Sequence, residues 1–441
     1  MEDMRDGIAL SPVDELLCAM RGVPETIGAA ALFVGEPPRV DEVRDRVVER
    51  WGGLPRLCRV LARPKESAWP RPHRWLPLER FDPGRQVVPT GDAGEHTSGE
   101  AEFADLLDRL VAHPLPDGLP PWRLRLVRRA GEGRFALVLT AHHALLDGRS
   151  LELLLSRLLD GGLGRGGRTG GGVRAVRALR AAHPDHARPS ARPRVPLGSG
   201  RALPLPEGAP PRPELAWTEV DADAVRAARR ALPGLGATLN EVLLAAATGA
   251  LRAVHGAPER WPGAPRPLYG VFPVDLRAPE DEGTLGNVVS VVRVPLPVDS
   301  GDPAERLAAC RGLLADHGPL RGADPTARVV DAAARLGPWA LRLLAARAGA
   351  PGQAPVACMA FRWPRGSWAL GGRPLERVIP LPPVQAPGTV GFALTDCAGT
   401  YTLSVVGHTL PGRVRSLADA FGRELAAHAR PVREALSGPT R

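Results

Sequence analysis

The chain has 441 residues, of which 44% are hydrophobic and 4% aromatic, and its formal net charge is +9. This length predicts two domains, and the hydrophobic content is ordinary for a globular protein. Arginine supplies 56 of the 57 basic residues and is spread along the chain, without a basic run interleaved with aromatics, so the charge does not predict nucleic-acid binding. A milder use of the same charge is attraction of an anionic small molecule or of a membrane surface.

Cysteines and apolar runs indicate the cellular setting. The five cysteines lie far apart and form no Cys-x-x-Cys pair, which predicts neither a zinc site nor a disulfide framework and favours a reducing cytoplasm. Residues 1–6 are too acidic and polar for a signal peptide. No apolar run reaches the roughly 18 residues of a membrane span. The longest run, 242–251, fits a buried helix.

The first predicted element is a helix capped by Ser11, with Pro12 at its first position. Apolar periodicity then predicts a strand over residues 27–34, helices over 40–51 and 103–111, and a hairpin with strands over 122–128 and 135–140. Ser150 is predicted to cap a helix whose leucines recur on one side up to residue 159.

A change of composition then separates two parts of the chain. Residues 161–172 are rich in glycine, and residues 188–213 are rich in proline and arginine. This pattern predicts a long connection, interrupted by a helical piece over 173–182. We therefore expect an N-terminal lobe at 1–160, a connection at 161–215 and a C-terminal lobe at 216–441.

In the second part, Thr238 and Glu241 form a predicted capping box before an apolar helix over 242–254. Further elements are expected as strands over 215–220, 268–274, 288–296, 389–395 and 401–407, and as helices over 222–231 and 415–427. Because strands and helices mix in both parts, the sequence predicts two α/β or α+β lobes.

The strongest chemical signal is the run His142-His143-Ala144-Leu145-Leu146-Asp147-Gly148, between a predicted strand and a predicted helix. A neutral imidazole with a pKa of about 6.5 can take the proton of a hydroxyl as that hydroxyl attacks a thioester carbonyl. Neighbouring side chains on an extended segment point opposite ways, so one histidine is expected to face the reaction and the other the core. Asp147 can fix the loop by pairing with an arginine, and Gly148 permits close approach of backbone or substrate.

This run matches the HHxxxDG signature of the bacterial wax ester synthase/acyl-CoA:diacylglycerol acyltransferase family. Condensation domains of peptide synthetases and the wider coenzyme A-dependent acyltransferase superfamily share the signature. Further blocks resemble the first family, in the family's order and over nearly the whole chain. These blocks are Ser11 to Asp14, Pro120-Pro121-Trp122, Thr238 to Glu241, Pro273 to Arg277 and Gly286 to Ser290.

The resemblance implies an α+β fold of two chloramphenicol-acetyltransferase-like lobes, each a mixed sheet with helices, with the active-site channel between them. It implies that His143 is the catalytic base, that His142 is structural and that Asp147 holds the loop. A buried carboxylate needs a cation, and the block ending at Arg277 makes this arginine the candidate partner of Asp147.

Four more residues in these blocks are candidates for the wall of the substrate channel: Trp122, Asn240, Asn287 and Ser290. Asn240 is equally consistent with a plain helix cap, and Asn287 with a plain turn. The sequence shows neither metal-ligand spacing nor a Gly-x-Ser-x-Gly elbow. We therefore expect no metal and no covalent acyl-enzyme.

The function expected from the resemblance is direct transfer of an acyl group from a coenzyme A thioester to an acceptor hydroxyl, with no bound cofactor. Two departures from the family pattern bear on the acceptor. Residues 361–366 replace the family's Asn-Val-Pro-Gly-Pro segment, and residues 396–399 are at best an echo of its Ser-Tyr-Asn-Gly segment.

Two other hypotheses remain open. The first keeps the chemistry but acylates a hydroxyl or amine of a specialised metabolite, with a carrier-protein thioester as a further donor. The second is a non-catalytic, condensation-like binding module, which the intact motif disfavours. The expected partners are an acyl thioester and a lipid or small-molecule alcohol, without nucleic acid. The expected location is the cytoplasm, free or held peripherally at the inner face of the membrane.

Overall fold

The computed structural model describes residues 7–20, 26–64, 71–90, 99–161, 198–204, 212–234, 236–315, 325–383, 386–409 and 412–428. Its strands are β1 (Ile8–Ala9), β2 (Thr26–Val34), β3 (Arg59–Ala62), β4 (Arg74–Pro77), β5 (Val87–Pro89), β6 (Trp122–Val127), β7 (Arg134–His142), β8 (Asp160–Gly161), β9 (Arg212–Val220), β10 (Leu268–Asp275), β11 (Val289–Leu296), β12 (Val356–Arg362), β13 (Trp368–Leu370), β14 (Arg373–Leu381), β15 (Val390–Cys397) and β16 (Thr400–Thr409). Its α-helices are α1 (Pro12–Ala19), α2 (Val40–Trp51), α3 (Glu100–Ala112), α4 (Gly148–Leu158), α5 (Ala222–Arg230), α6 (Leu239–His255), α7 (Pro303–Ala315), α8 (Pro325–Leu336), α9 (Pro338–Ala348) and α10 (Arg413–His428).

A seven-stranded sheet forms the framework of the first lobe, in the strand order β5-β6-β7-β2-β14-β13-β8. Its central strands β2 and β7 are antiparallel, with Thr26 opposite His142. Apolar side chains of α2 and α4 cover one face of this sheet, and Phe33, Trp51 and Phe135 are fully buried in that core. The chain therefore reaches His142 from the middle of a buried sheet, which gives the following turn a fixed starting point.

A six-stranded sheet forms the second lobe, in the order β11-β10-β12-β15-β16-β9. β12 runs parallel to both β10 and β15, whereas the other neighbouring pairs are antiparallel. α6 and α10 pack together, and their apolar sides complete a core that contains Phe392 and Phe421. A small three-stranded sheet, β1-β4-β3, accompanies the first lobe. Both large sheets are mixed, which agrees with the predicted fold class.

Two strands from late in the sequence belong to the sheet of the first lobe. β14 pairs antiparallel with β2, where Ile379 lies opposite Ala30, and β13 pairs with both β14 and β8. The range 216–441 is therefore not one self-contained lobe, because residues 368–381 complete the other sheet. The physical reason is that β2 is buried along almost its whole length. Without β14 its backbone groups would form an unpaired buried edge.

The two lobes also share an apolar core. α3 packs against β9, and β14 packs against β15 and β16. In this core Ile379 and Leu381 of β14 join Trp217 and Val406 of the second sheet. The lobes are thus held together by buried side chains as well as by β13 and β14, which join the sheet of the first lobe.

Helix caps test the local predictions. Ser11 caps α1, since its Oγ accepts a hydrogen bond from the amide of Asp14 at 3.1 Å. Thr238 caps α6 in a capping box with N–O distances of 2.8 and 3.3 Å. The predicted cap of α4 is wrong. Asp147 caps this helix, because its carboxylate reaches the amide of Ser150 at 2.8 Å.

The predicted connection between the lobes is shorter than expected within the described residues. β8 already occupies Asp160–Gly161, and β9 begins at Arg212 rather than near residue 215. Both ends are drawn into sheets because their backbones pair with β13 and β16. The helical piece predicted over 173–182 lies outside the described residues.

Candidate active site

The motif forms a tight turn between β7 and α4. The amide of Leu145 donates to the carbonyl oxygen of His142 at 2.8 Å, and the amide of Leu146 approaches the same oxygen at 3.3 Å. The turn reverses the chain within a few residues, and α4 starts directly after it at Gly148. His143 therefore stands at the head of a short, hydrogen-bonded turn rather than on a mobile loop.

His142 is bound into the base of this turn. Its side chain is buried, and Nδ1 accepts a hydrogen bond from the amide of Ala144 at 3.1 Å. Its own amide donates to the carbonyl oxygen of Pro121 at 2.9 Å. Because Nδ1 accepts, the proton of the neutral ring is on Nε2. These contacts fit the predicted structural role, in which His142 positions the turn.

His143 is half-buried, and its Nδ1 atom is enclosed without a hydrogen-bond partner among the described residues. Nε2 is then the ring nitrogen that can reach a reactant. Burial lowers the pKa of His143 below its ordinary value of 6.5, although the polar backbone and the charge of Asp147 act in the opposite direction. A lowered pKa keeps the imidazole neutral, which is the form a general base requires.

The lowered pKa of His143 predicts the pH dependence of activity. A base with an ordinary pKa would lose half of its active form at about pH 6.5. Because burial lowers the pKa of His143, the neutral form persists below that pH. We expect the acid limb of kcat/KM to be centred below pH 6.5, with the slope of one proton. A pH–rate profile checks this, with circular dichroism at each pH as the control for unfolding. An acid limb centred above pH 6.5 would contradict it.

Asp147 forms one end of a buried ion pair between the lobes. Its exposed fraction is 3%, and that of Arg277 is also 3%. Oδ2 of Asp147 lies 2.9 Å from Nη1 of Arg277, and Oδ1 accepts from Nη2 at 3.1 Å. The predicted pair is thus present, and it has the two-pronged geometry that arginine favours with a carboxylate. The pair joins the start of α4 to the segment after β10.

Arg277 is itself fixed by the second lobe. Nη1 lies 3.0 Å from Oδ1 of Asp275, Nε donates to the carbonyl oxygen of Thr284 at 3.0 Å, and Nη2 donates to that of Gly286 at 2.8 Å. Burial disfavours the charge of the guanidinium, but the carboxylates of Asp147 and Asp275 outweigh it and raise the pKa of Arg277. Each of its three nitrogens is bonded, so the guanidinium has one orientation.

Gly286 brings the backbone of the second lobe onto α4. Its amide donates to Oγ of Ser150 at 2.9 Å, and the amide of Val288 donates to Oδ2 of Asp147 at 3.2 Å. Gly286 has a φ of +126°, a conformation that glycine adopts readily. A Cβ atom at this position would lie 2.8 Å from Cζ of Arg56. A larger residue would therefore displace the guanidinium group of Arg56 from its place beside the motif.

Two residues that sequence reasoning did not place in the site hold the turn from outside. Nε of Arg56 donates to the carbonyl oxygen of Leu145 at 2.6 Å, and its Nη2 donates to that of Ala144 at 3.1 Å. Oδ2 of Asp14, a buried carboxylate, lies 3.1 Å from the same Nη2. The block from Ser11 to Asp14 that resembles the family contained the signal for Asp14. Arg56 had none, because arginines occur throughout the chain.

Asn287 links these supports to the candidate base. Its Nδ2 donates to Oδ1 of Asp14 at 2.8 Å and to the carbonyl oxygen of His143 at 2.7 Å. Asn287 was predicted as a residue of the channel wall, but both contacts hold protein groups. Its place beside His143 therefore supports a positioning role.

Gly148 permits a close approach, as predicted, and the approaching group is an aromatic ring. A Cβ atom at Gly148 would lie 2.9 Å from Cε1 of Phe361. Phe361 belongs to β12 of the second lobe and is half-buried. The segment that departs from the family pattern therefore begins with a ring packed against the motif.

The other three predicted channel residues have no described contact with His143. Trp122 packs in the core of the first lobe against Trp51, with ring centroids 5.4 Å apart, and its indole N–H donates to the carbonyl oxygen of Leu57 at 2.9 Å. Asn240 lies in the first turn of α6, and Ser290 is buried in β11. Their role as channel residues stays a prediction.

The described residues contain no group of three His, Cys, Asp or Glu side chains that could hold a metal ion. Within the same ranges, every helix is too short or too polar to pass through a lipid bilayer. The candidate site consists of the half-buried imidazole of His143, the buried ion pair of Asp147 and Arg277, and the groups that hold them in place.

Two family models match the chain, and several known proteins resemble it. A model described as the wax ester synthase/diacylglycerol acyltransferase catalytic domain matches residues 10–162, and the C-terminal domain model matches residues 285–427. A Mycobacterium tuberculosis protein provisionally named a diacylglycerol O-acyltransferase is 30% identical over 248 residues, 48% of this chain and 50% of that protein. The chain thus spans about half the length of that relative. A second M. tuberculosis protein with the same provisional name is 25% identical over 87% of this chain and 89% of its own length.

Solved structures share the fold. The wax ester synthase/diacylglycerol acyltransferase from Marinobacter aquaeolei VT8 superposes with a TM-score of 0.60 at 20% identity, over 95% of this chain and 98% of that chain. The first condensation domain of the CDA synthetase superposes with a TM-score of 0.61 at 20% identity, over 98% of each chain. The predicted fold of two acyltransferase-like lobes is therefore confirmed. Since the two family models together cover about two thirds of the sequence, the chain belongs to the wax ester synthase/diacylglycerol acyltransferase family.

Proposed function

We propose that the protein is an acyltransferase that moves an acyl group from a coenzyme A thioester to an acceptor hydroxyl, with His143 as general base. The family membership and the names of the relatives support the reaction type. The observation that carries the residue assignment is the state of His143. Its imidazole is half-buried, its pKa is lowered by burial, and its backbone carbonyl is held by Asn287 at 2.7 Å.

The reaction balances with this one base. Nε2 of His143 takes the proton of the acceptor hydroxyl while the hydroxyl oxygen attacks the thioester carbonyl carbon. A carbon–oxygen bond forms, and the carbonyl π electrons move to its oxygen. Collapse of this tetrahedral intermediate breaks the carbon–sulfur bond, and the imidazolium returns the proton to the departing thiolate. The products are an ester and free coenzyme A, and His143 is again neutral.

Polar side chains between the lobes support a substrate path there. Thr395 lies opposite Thr402 on neighbouring strands, and Ser404 follows two residues later on the same face. The hydroxyl oxygens of all three are buried without a hydrogen-bond partner among the described residues. Phe361, which packs against Gly148, is the neighbour of Thr395 on β12. Unpaired buried hydroxyls are costly, so this face suits polar atoms of a substrate entering between the lobes. The channel itself stays a prediction.

One contact favours the alternative of an unusual acceptor. The two segments that depart from the family pattern meet at the ends of β12 and β15. Nε of Arg362 lies 3.1 Å from Oδ2 of Asp396, and the amide of Trp363 donates to the carbonyl oxygen of Asp396 at 2.8 Å. Both segments are thus in contact with each other, beside the ring that touches the motif. A specialised-metabolite hydroxyl or amine, with a coenzyme A or carrier-protein donor, is the second candidate.

A product assay tests the proposal and separates these candidates. Purified protein is offered acyl-coenzyme A or an acyl carrier protein, with a fatty alcohol, a diacylglycerol, a soluble alcohol or an amine. We expect an ester by mass spectrometry and one free coenzyme A thiol for each ester formed. The His113→Ala variant, altered at an exposed histidine on the C-cap of α3, is the matched control and should retain this activity. Thiol release without ester, or a product from the carrier protein alone, would overturn the primary proposal. The predicted cytoplasmic location stays a prediction.

A further inference from the structure

The corner between α8 and α9 exposes three large apolar side chains. The exposed fractions are 64% for Leu336, 51% for Trp339 and 66% for Leu343. No other large hydrophobic side chain within the described ranges is as exposed as these three. Single exposed leucines are ordinary on protein surfaces, but a contiguous group that includes tryptophan marks an interaction surface. We call these three side chains the apolar corner.

The geometry of α9 explains why the group is contiguous. Trp339 and Leu343 are four residues apart and so share one helix face. Leu336 ends α8 just before Gly337, the residue at which the chain turns into α9. The opposite face of α9 is buried through Ala340, Leu341 and Ala345. This helix is therefore apolar on two sides, of which only one is covered by the described protein.

The charges around the apolar corner select its partner. α9 (Pro338–Ala348) contains no acidic residue, Arg335 and Arg342 are the sequence neighbours of Leu336 and Leu343, and Asp331 of α8 lies four positions before Arg335. Tryptophan and leucine on one face with arginines beside them is the composition of helices that lie in the interface of a membrane. Tryptophan favours the level of the lipid head groups, and arginine is attracted to anionic lipids. A second copy on a twofold axis would bring these arginine borders close to each other.

The apolar corner is also close to the candidate site along the structure. α9 packs against α1, which contains Asp14. Oδ1 of Asp14 accepts from Nδ2 of Asn287, and the same Nδ2 donates to the carbonyl oxygen of His143. One helix thus separates this surface from the groups that hold the candidate base.

We propose that Leu336, Trp339 and Leu343 dock the protein on an anionic lipid bilayer. The three side chains enter the level of the head groups, while Arg335 and Arg342 contact lipid phosphates. If the proposed function holds, docking places the site beside the membrane that supplies lipid acceptors. The docking proposal itself does not depend on that function.

Cosedimentation of the full chain with vesicles tests the docking. The vesicles are phosphatidylcholine alone, or phosphatidylcholine and phosphatidylglycerol in equal amounts. We expect binding to the anionic vesicles that weakens with added salt. The double variant Trp339→Ser/Leu343→Ser should bind at least about tenfold more weakly, since two interfacial anchors are lost. Arg335→Gln/Arg342→Gln should lose the preference for anionic lipid.

Val48→Ser is the matched control, because Val48 is 50% exposed on α2 of the first lobe, and it should bind as the unchanged protein does. Equal binding of Trp339→Ser/Leu343→Ser and the unchanged protein would overturn the proposal. So would a change from dimer to monomer in that variant by gel filtration, which would make the surface a contact between copies. Activity on a water-soluble alcohol separates the two proposals. Ester synthesis without vesicle binding refutes docking alone, and vesicle binding without any ester refutes the proposed function alone.

Discussion

Replacing His143 by alanine is expected to lower kcat by roughly 10² to 10⁴, the range that a positioned general base contributes. The fold should survive, because Nδ1 of His143 makes no hydrogen bond to the described protein and the carbonyl bonded by Asn287 belongs to the backbone. Binding of the acyl donor should also survive. The measurement is kcat and KM for the ester-forming reaction, together with the melting temperature.

His142→Ala provides the contrast at the neighbouring position. Its side chain accepts the hydrogen bond of the Ala144 amide inside the turn, so its loss should reduce soluble yield or melting temperature as well as rate. A folded His143→Ala protein with nearly unchanged turnover would remove this residue from the mechanism. That result would also revive the hypothesis of a binding module.

Replacing Asp147 by alanine is expected to act first on folding. The carboxylate is buried against Arg277, with N–O distances of 2.9 and 3.1 Å, and it caps α4. Breaking a buried pair by removing one partner costs roughly 3–5 kcal/mol, because the other charge is left without compensation. The melting temperature should therefore fall clearly. Activity should fall as well, since a shift of the base by about 1 Å can cost on the order of 10²-fold in rate.

Asp41→Ala is the matched control for this prediction. Asp41 also pairs with an arginine in the first turn of a helix, at 3.1 Å from Arg44, but its side chain is 63% exposed. Exposed pairs contribute about 0–1 kcal/mol, so little change is expected. Asp147→Asn should be milder in stability than Asp147→Ala, yet still slow. An Asp147→Ala protein with unchanged melting temperature and lost activity would make Asp147 a direct participant in the reaction.

The chemistry of the motif was predictable because its signals are local. The turn lies between a strand and a helix with strong apolar periodicity, and α2 begins and ends at the predicted residues 40 and 51. Arg277 was predictable as a partner because a buried carboxylate needs a cation and the family block offered one. The first inference needed only neighbouring residues, and the second needed only a block that resembles the family.

The groups around the motif were harder to predict because they come from distant parts of the chain. Arg56 lies 89 positions from Leu145, and its neighbours in sequence carry no pattern that distinguishes it from other arginines. Phe361 was noticed only as a departure from the family pattern. The position of Asp147 as helix cap was missed because aspartate and serine cap helices about equally well, and Asp147 was assigned to an ion pair alone. Contacts between remote segments leave little trace in a single sequence.

The late position of β13 and β14 in the sequence has a consequence for synthesis of the chain. The first sheet lacks β14 beside β2, and β8 lacks its partner β13, until residues 368–381 have left the ribosome. At about 5–20 residues per second this wait after residue 161 is on the order of ten seconds or more. During that interval an apolar strand edge is open to pairing with other nascent chains. Holding chaperones should therefore raise the yield of this protein most when they act before residues 368–381 have emerged.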